Sequence, residues 1–122
     1  MAYYLRFDGG NDYCSVANNT FHQSRTQYSL QVKLAIRTTG SVAIYGQAGG
    51  FNGYCFLSSD THIVIRYGGT TVDLPYVRPA INTTFVLEIR RNGSSHKVFV
   101  DGVEQSETFS SATGSANMNA IG

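Results

Sequence analysis

The stretch Ser29 to Arg37, SLQVKLAIR, sets Leu30, Val32, Leu34 and Ile36 at every second position, with Gln31, Lys33, Ala35 and Arg37 between them. Successive side chains of an extended strand point to opposite faces, so this order makes one face apolar and leaves the other to water. A helix cannot use it, because a period of two scatters the apolar groups around a cylinder whose own period is 3.6. The apolar face then requires a second layer to cover it.

The same period recurs along the chain. Val42 to Tyr45, Tyr54 to Leu57 and Ile63 to Tyr67 are short apolar runs, the first two separated by a glycine-rich turn through Gly49, Gly50, Asn52 and Gly53. Phe85, Leu87 and Ile89 alternate with Val86, Glu88 and Arg90. Asn92-Gly93-Ser94-Ser95 then reverses the chain and Lys97 to Val100 returns along it, the clearest hairpin signal present. Asp101-Gly102 is a second tight turn, into Val103 to Gln105. Tyr3 to Phe7 and Asp12 to Val16 flank FDGGNDY and read as a further hairpin. Gly68 to Thr83 holds both prolines and one short strand around Thr71 to Leu74, and Ser110 to Asn119 is small, polar and without pattern. No stretch of ten or more residues carries a helical stripe. With 122 residues, 13 Gly and 12% aromatic residues, the chain suits one domain of short strands and turns. The expected fold is all-β, a two-sheet antiparallel sandwich or jelly roll.

YLRFDGGNDYCSV near the start and FVLEIRRNGSSHKVFVDGVEQ near the end carry a resemblance. Together with YSLQVKLAIRT between them, they resemble the laminin G-like group of the concanavalin A-like jelly rolls. An FDG-x-x-D-Y opening hairpin and a late V-Y-V-D-G hairpin recur in that group. The resemblance implies a single laminin G-like jelly-roll domain over residues 1–122, a fragment of or first domain in a longer chain. Relatives continue past the equivalent of Ile121-Gly122 into a closing strand. Without it, the resemblance leaves the Tyr3 to Phe7 region as an open sheet edge, through which a homo-oligomer can form.

Charge excludes some partners. Nine Lys plus Arg stand against eight Asp plus Glu, a net charge of +1, and the largest basic cluster is Arg90-Arg91. A nucleic-acid partner needs a basic patch, and none is present. No apolar run approaches the roughly 18 residues of a membrane helix, and the start Met-Ala-Tyr-Tyr-Leu-Arg lacks the organisation of a secretory signal. The expectation is synthesis in the cytoplasm, with incorporation in a virion as one destination. Cys14 and Cys55 are expected as buried free thiols.

Asp8-Gly9-Gly10-Asn11 has the residues a tight turn demands. Two readings stay open there: a corner alone, or a corner at which Asp8 and Asp12, with backbone carbonyls, hold calcium through hard oxygen ligands. Asp101-Gly102 has the same two readings, with the turn favoured.

Catalytic patterns are weak. A glycoside hydrolase on this kind of fold needs two carboxylates facing one another across a sugar. Glu88, Glu104 and Glu107 are the only glutamates, and none has an acidic neighbour two or four residues away within a good strand. No G-x-S-x-G elbow is present, and His22, His62 and His96 lack zinc-site spacing, His96 reading as solvent-facing. QAGGFNGY lacks the Lys-Ser/Thr ending of a phosphate loop. The chain is therefore expected to be no enzyme.

Binding is the remaining class. Tyr45, Tyr54, Tyr67 and Tyr76 lie near turns that also carry Gln47, Asn52, Arg66 and Arg78. Aromatic faces stack on the C–H side of a pyranose while amide and guanidinium groups take its hydroxyls, so these eight residues are the expected glycan contacts. The alternative is a protein-surface contact, as in a decoration or fibre domain of a phage or virus particle.

Overall fold

A computed structural model describes residues 14–15, 26–46, 54–67, 70–110 and 120–121. The described strands are β1 (Cys14–Ser15), β2 (Gln27–Ala35), β3 (Val42–Gly46), β4 (Tyr54–Ser58), β5 (His62–Tyr67), β6 (Thr70–Pro75), β7 (Thr84–Asn92), β8 (Ser95–Val100), β9 (Val103–Phe109) and β10 (Ala120–Ile121). They form two antiparallel sheets. One is ordered β1-β10-β3-β4-β5-β6 and the other β2-β7-β8-β9.

The alternation read from the sequence decides which side of each strand is buried. Leu30, Val32 and Leu34 pack against a core of Phe85, Leu87, Ile89 and Val98 from the four-stranded sheet and Ile63, Ile65, Val72 and Leu74 from the six-stranded one. Ile63, Ile65, Leu74 and Val98 are wholly buried. Each removes a branched aliphatic side chain from water, worth about 1.5–3 kcal/mol. Lys33 and Gln31, on the other parity of β2, are exposed.

Turn chemistry sets the register. Asp101 and Gly102 both lie at positive φ, 50° and 81°, the pair of left-handed conformations that a two-residue hairpin of the I′ type uses. Asp101 also closes the hairpin base, its carboxylate accepting from the Val86 N–H at 2.8 Å and its own N–H donating to the Val86 carbonyl at 2.9 Å. A Cβ built on Gly102 meets nothing within 4 Å, so the cost of Gly102→Ala is conformational alone. We expect a loss of about 1 kcal/mol, read as a fall of a few degrees in Tm; an unchanged Tm would show that the turn relaxes freely.

Two expectations change, and a third point, the absence of a Cys14–Cys55 bridge, is kept. The strand expected over Val103 to Gln105 extends to Phe109, because β9 pairs with β8 throughout, and a bulge between Val98 and Phe99 shifts its register. Ser106, Glu107 and Thr108 give it a polar look that disguises a strand. His96 does not face solvent. It lies opposite Arg91 on the core side of β8, wholly buried, and Arg91 is only 6% exposed. Cys14 and Cys55 cannot bridge within one chain. Cys14 pairs with Ile121, Ile121 with Tyr45, and Tyr45 with Phe56 beside Cys55. Three ladder spacings of about 4.8 Å lie between the two cysteine strands, roughly 14 Å, whereas a disulfide needs Cα atoms within about 7 Å.

No helix among the described residues is long and apolar enough to cross a membrane. The opening hairpin around Asp8 and Asp12, and the region Tyr3 to Phe7, lie outside the described residues. Ala120–Ile121 pairs with both β1 and β3.

Candidate functional site

The expected glycan contacts divide between the two ends of the six-stranded sheet. At one end Tyr54 pairs with Tyr67, and Arg66 lies beside them opposite Cys55 and Thr71. Tyr45 is nearby in register, opposite Phe56. Arg66 is exposed. Gln47 and Asn52 lie outside the described residues.

Tyr76 and Arg78 sit at the other end, and their side chains are spent on packing. Tyr76 is 5% exposed and its hydroxyl donates to the Ser59 carbonyl at 3.3 Å. The Arg78 side chain is also 5% exposed, ion-paired with Asp60, and donates to the Gly40 carbonyl at 2.9 Å. Asp60 in turn accepts from the Gly40 N–H. These bonds tie the β2–β3 loop, the β4–β5 turn and the segment after β6 together. Proximity in sequence to polar turns did not distinguish a surface tyrosine from a buried one.

Among the described residues the most fully built polar surface lies elsewhere, on the outer side of the four-stranded sheet. Cross-strand register arranges it in rows. One row runs Gln31, Glu88, Phe99, Glu104. The next runs Ser29, Arg90, Lys97, Glu107. A third runs Gln27, Asn92, Ser95, Phe109. At the centre, Arg90 Nε donates to Glu88 Oε1 at 2.6 Å and its terminal nitrogen to Oε2 at 3.0 Å, a two-pronged pair. Ser29 Oγ donates to the same Glu88 Oε1 at 2.7 Å. The Arg90 guanidinium carbon stands 4.2 Å from the centroid of the Phe99 ring, within cation–π range. A carboxylate and an aromatic face together orient the guanidinium.

Around this centre the charges of Lys97, Glu104 and Glu107 are matched. Lys97 Nζ donates to Glu104 at 3.1 and 3.2 Å and lies 3.6 Å from Glu107. Ser95 Oγ donates to Glu107 at 2.6 Å, and Gln27 Nε2 to Asn92 Oδ1 at 3.0 Å. Hydrogen bonds from Arg90, and then from Ser29, hold the Glu88 carboxyl below its usual pKa, with burial opposing. The hydrogen bond to Glu88 raises Arg90 and the one to Glu104 raises Lys97. These three groups therefore keep their charges at neutral pH.

The acidic neighbours absent along any one strand are present across strands, since Glu88 and Glu104 flank Phe99 in one row. A search along the sequence at spacings of two and four misses such a pair. The two-residue turns at Gly93-Ser94 and Asp101-Gly102 carry the signal that finds it, because they fix Glu88 opposite Phe99 and Phe99 opposite Glu104. Among the described residues no group of three or more His, Cys, Asp or Glu side chains is placed to hold a metal ion. Asp101, one of the two aspartate corners, spends its carboxylate on Val86.

A scan of protein-family models gave no match, and neither did a comparison with curated protein sequences. Solved structures do resemble the chain. The carbohydrate binding module CBM66 from Bacillus subtilis aligns with a TM-score of 0.55 at 16% identity, over 80% of this chain and 72% of that one. An alginate lyase from Corynebacterium sp. aligns at 0.40 and 20% identity over 95% of this chain and 52% of its own. The alginate lyase AlgAT5 of polysaccharide lyase family 7 aligns at 0.37 and 18% identity, over 73% and 44%. The fold is a jelly-roll β-sandwich. At such identities the likeness speaks for architecture, and what this jelly roll does has to be argued from its own side chains.

Proposed function

We propose that the jelly roll is a non-enzymatic carbohydrate-binding module. The observation that carries this reading is the outer face of the four-stranded sheet, where a fixed guanidinium over an aromatic ring is surrounded by amides, hydroxyls and paired charges. Sugar recognition needs rigid hydrogen-bonding groups on a broad shallow surface, since a glycan offers many weak partners and loses affinity with every group it must order. The architectural likeness to a carbohydrate binding module supports the same reading. The late hairpin with its Asp101-Gly102 turn supports a laminin G-like variant of the jelly roll. Tyr45, Tyr54, Arg66 and Tyr67, with Gln47 and Asn52, form a second contact region in this proposal, and Asp8 with Asp12 a calcium corner.

The state of Glu88 supports binding without hydrolysis. A glycosidase acid must be protonated at the working pH, which requires a raised pKa. The Glu88 carboxyl is shifted the opposite way by Arg90 and Ser29.

A glycan array on the purified protein is the test. Binding to a defined sugar class, with the glycan recovered unchanged after incubation, is the expected result. A blank array from a protein that forms stable oligomers would instead favour a structural module of a larger assembly. Release of shortened products would contradict the non-enzymatic reading.

A further inference from the structure

Resting on the reading of the chain as a glycan binder, we infer that the sheet face selects neutral polysaccharides, and that Arg90 is its specificity-determining residue, donating to vicinal hydroxyls. The outer face holds three cations, Lys33, Arg90 and Lys97, and three carboxylates, Glu88, Glu104 and Glu107. Two of the cations are already bonded to the three carboxylates. A guanidinium has five N–H donors. Glu88 takes two of them, through Nε and one terminal nitrogen, and three are left. The underside of the group is closed by Phe99, which is only 8% exposed. A ligand on this face therefore meets the edge and upper side of a planar donor fork, and the ring below acts as a support instead of a stacking surface.

Charge then decides the class of ligand. An incoming carboxylate at Arg90 would stand within a few ångströms of Glu88 and in the same cross-strand row as Glu104, and like charges so placed repel. Neutral hydroxyls accept from the three remaining N–H groups with no such cost. Lys33, opposite Val86, is at the margin of the face and has no ion pair among the described residues, and one exposed ammonium is too little to reverse the balance.

The experiment uses the full chain, with affinity gel electrophoresis and calorimetry against soluble neutral polysaccharides (a glucan, a mannan and a fructan) and against two polyuronates, alginate and polygalacturonate, at about 0.05 and 0.5 M NaCl. The expected result is binding to at least one neutral polysaccharide, with Kd changing less than about twofold over that salt range because few counterions are exchanged. Arg90→Lys keeps the charge and loses the fork, so it is expected to weaken binding about tenfold or more with Tm little changed. Lys33→Ala is expected to stay within about twofold. Should Arg90→Lys perturb folding, Ser29→Ala offers a second probe: it removes one of the bonds that orient Glu88 and is expected to weaken binding several-fold. Tight, salt-sensitive binding to a polyuronate overturns the inference while leaving the glycan-binding reading intact, as does neutral-glycan binding that Arg90→Lys leaves unchanged. Failure to bind any polysaccharide overturns both.

Discussion

Leu87→Ala is expected to destabilise the protein by about 2–5 kcal/mol. Leu87 is 1% exposed on β7, a strand paired on both sides in the four-stranded sheet, with Val32 opposite it on β2 and Val100 on β8. Cutting the side chain back to a methyl removes the transfer free energy of the lost carbons and leaves a cavity. Flanking strands hydrogen-bonded on each side restrict how far the site can collapse. Domains of this size hold only about 5–15 kcal/mol in all, so one substitution consumes a large share. Leu30→Ala is the internal control. Leu30 belongs to the same core but is only half-buried on β2, so less is lost and the strand has room to move. Urea titration should show a clear fall in midpoint for Leu87→Ala with m unchanged, and a smaller fall for Leu30→Ala. Equal effects of the two would mean that the core does not have the layered order described above.

The layered order itself was legible in the chain, and the site was only half so. Alternation in Ser29 to Arg37 and in Phe85 to Arg90 places the core side of β2 and β7 without any knowledge of the fold. The same alternation, carried two residues further, puts Arg91 and His96 on the inner side, since Ile89 and Val98 are inside. Polarity alone argued for solvent at His96 and misled. At the end of a strand, parity outranks polarity, because turning a single side chain outward requires breaking the ladder.

The polar face was harder to read because its neighbours are far apart in sequence. Gly93-Ser94 and Asp101-Gly102 fix the pairs nearest each turn, which reaches Glu88, Phe99 and Glu104. Beyond the bulge at Val98 and Phe99 the count shifts by one. That shift brings Glu107, and not Ser106, opposite Lys97, and it turns Ser106 toward the inside, where its buried hydroxyl has no hydrogen-bond partner among the described residues. No local pattern in EQSE announces a bulge. Tyr76 and Arg78 failed as surface residues for a related reason. Their burial comes from Ser59, Asp60 and Gly40, brought in by two other loops.

Acid is expected to unfold the protein in two stages, the first governed by His96. The ring is wholly buried, and its Nδ1 lies 3.0 Å from the Ser94 carbonyl. Burial pushes its pKa down, and the charge of Arg91 opposite pushes the same way. Backbone hydrogen bonds to Ser94 and Thr108 pull upward without reversing the shift. A histidine whose folded pKa lies below its unfolded value favours folding above the unfolded pKa. That contribution is lost as pH falls from 6.5, the ordinary value, through the folded one. Over that window the stability should decline by up to about 1.4 kcal/mol per pH unit. Glu88, also lowered, adds a second decline as pH falls below 4.5. Denaturation curves at about pH 7.5, 6.5, 5 and 3.5 separate the stages. His96→Gln, which cannot take up a proton, is expected to be less stable at pH 7.5 because a shaped buried site is disturbed, yet to lose much less between pH 6.5 and 5. Parallel declines in the two proteins over that interval would show that protonation of the buried imidazole is not what acid attacks.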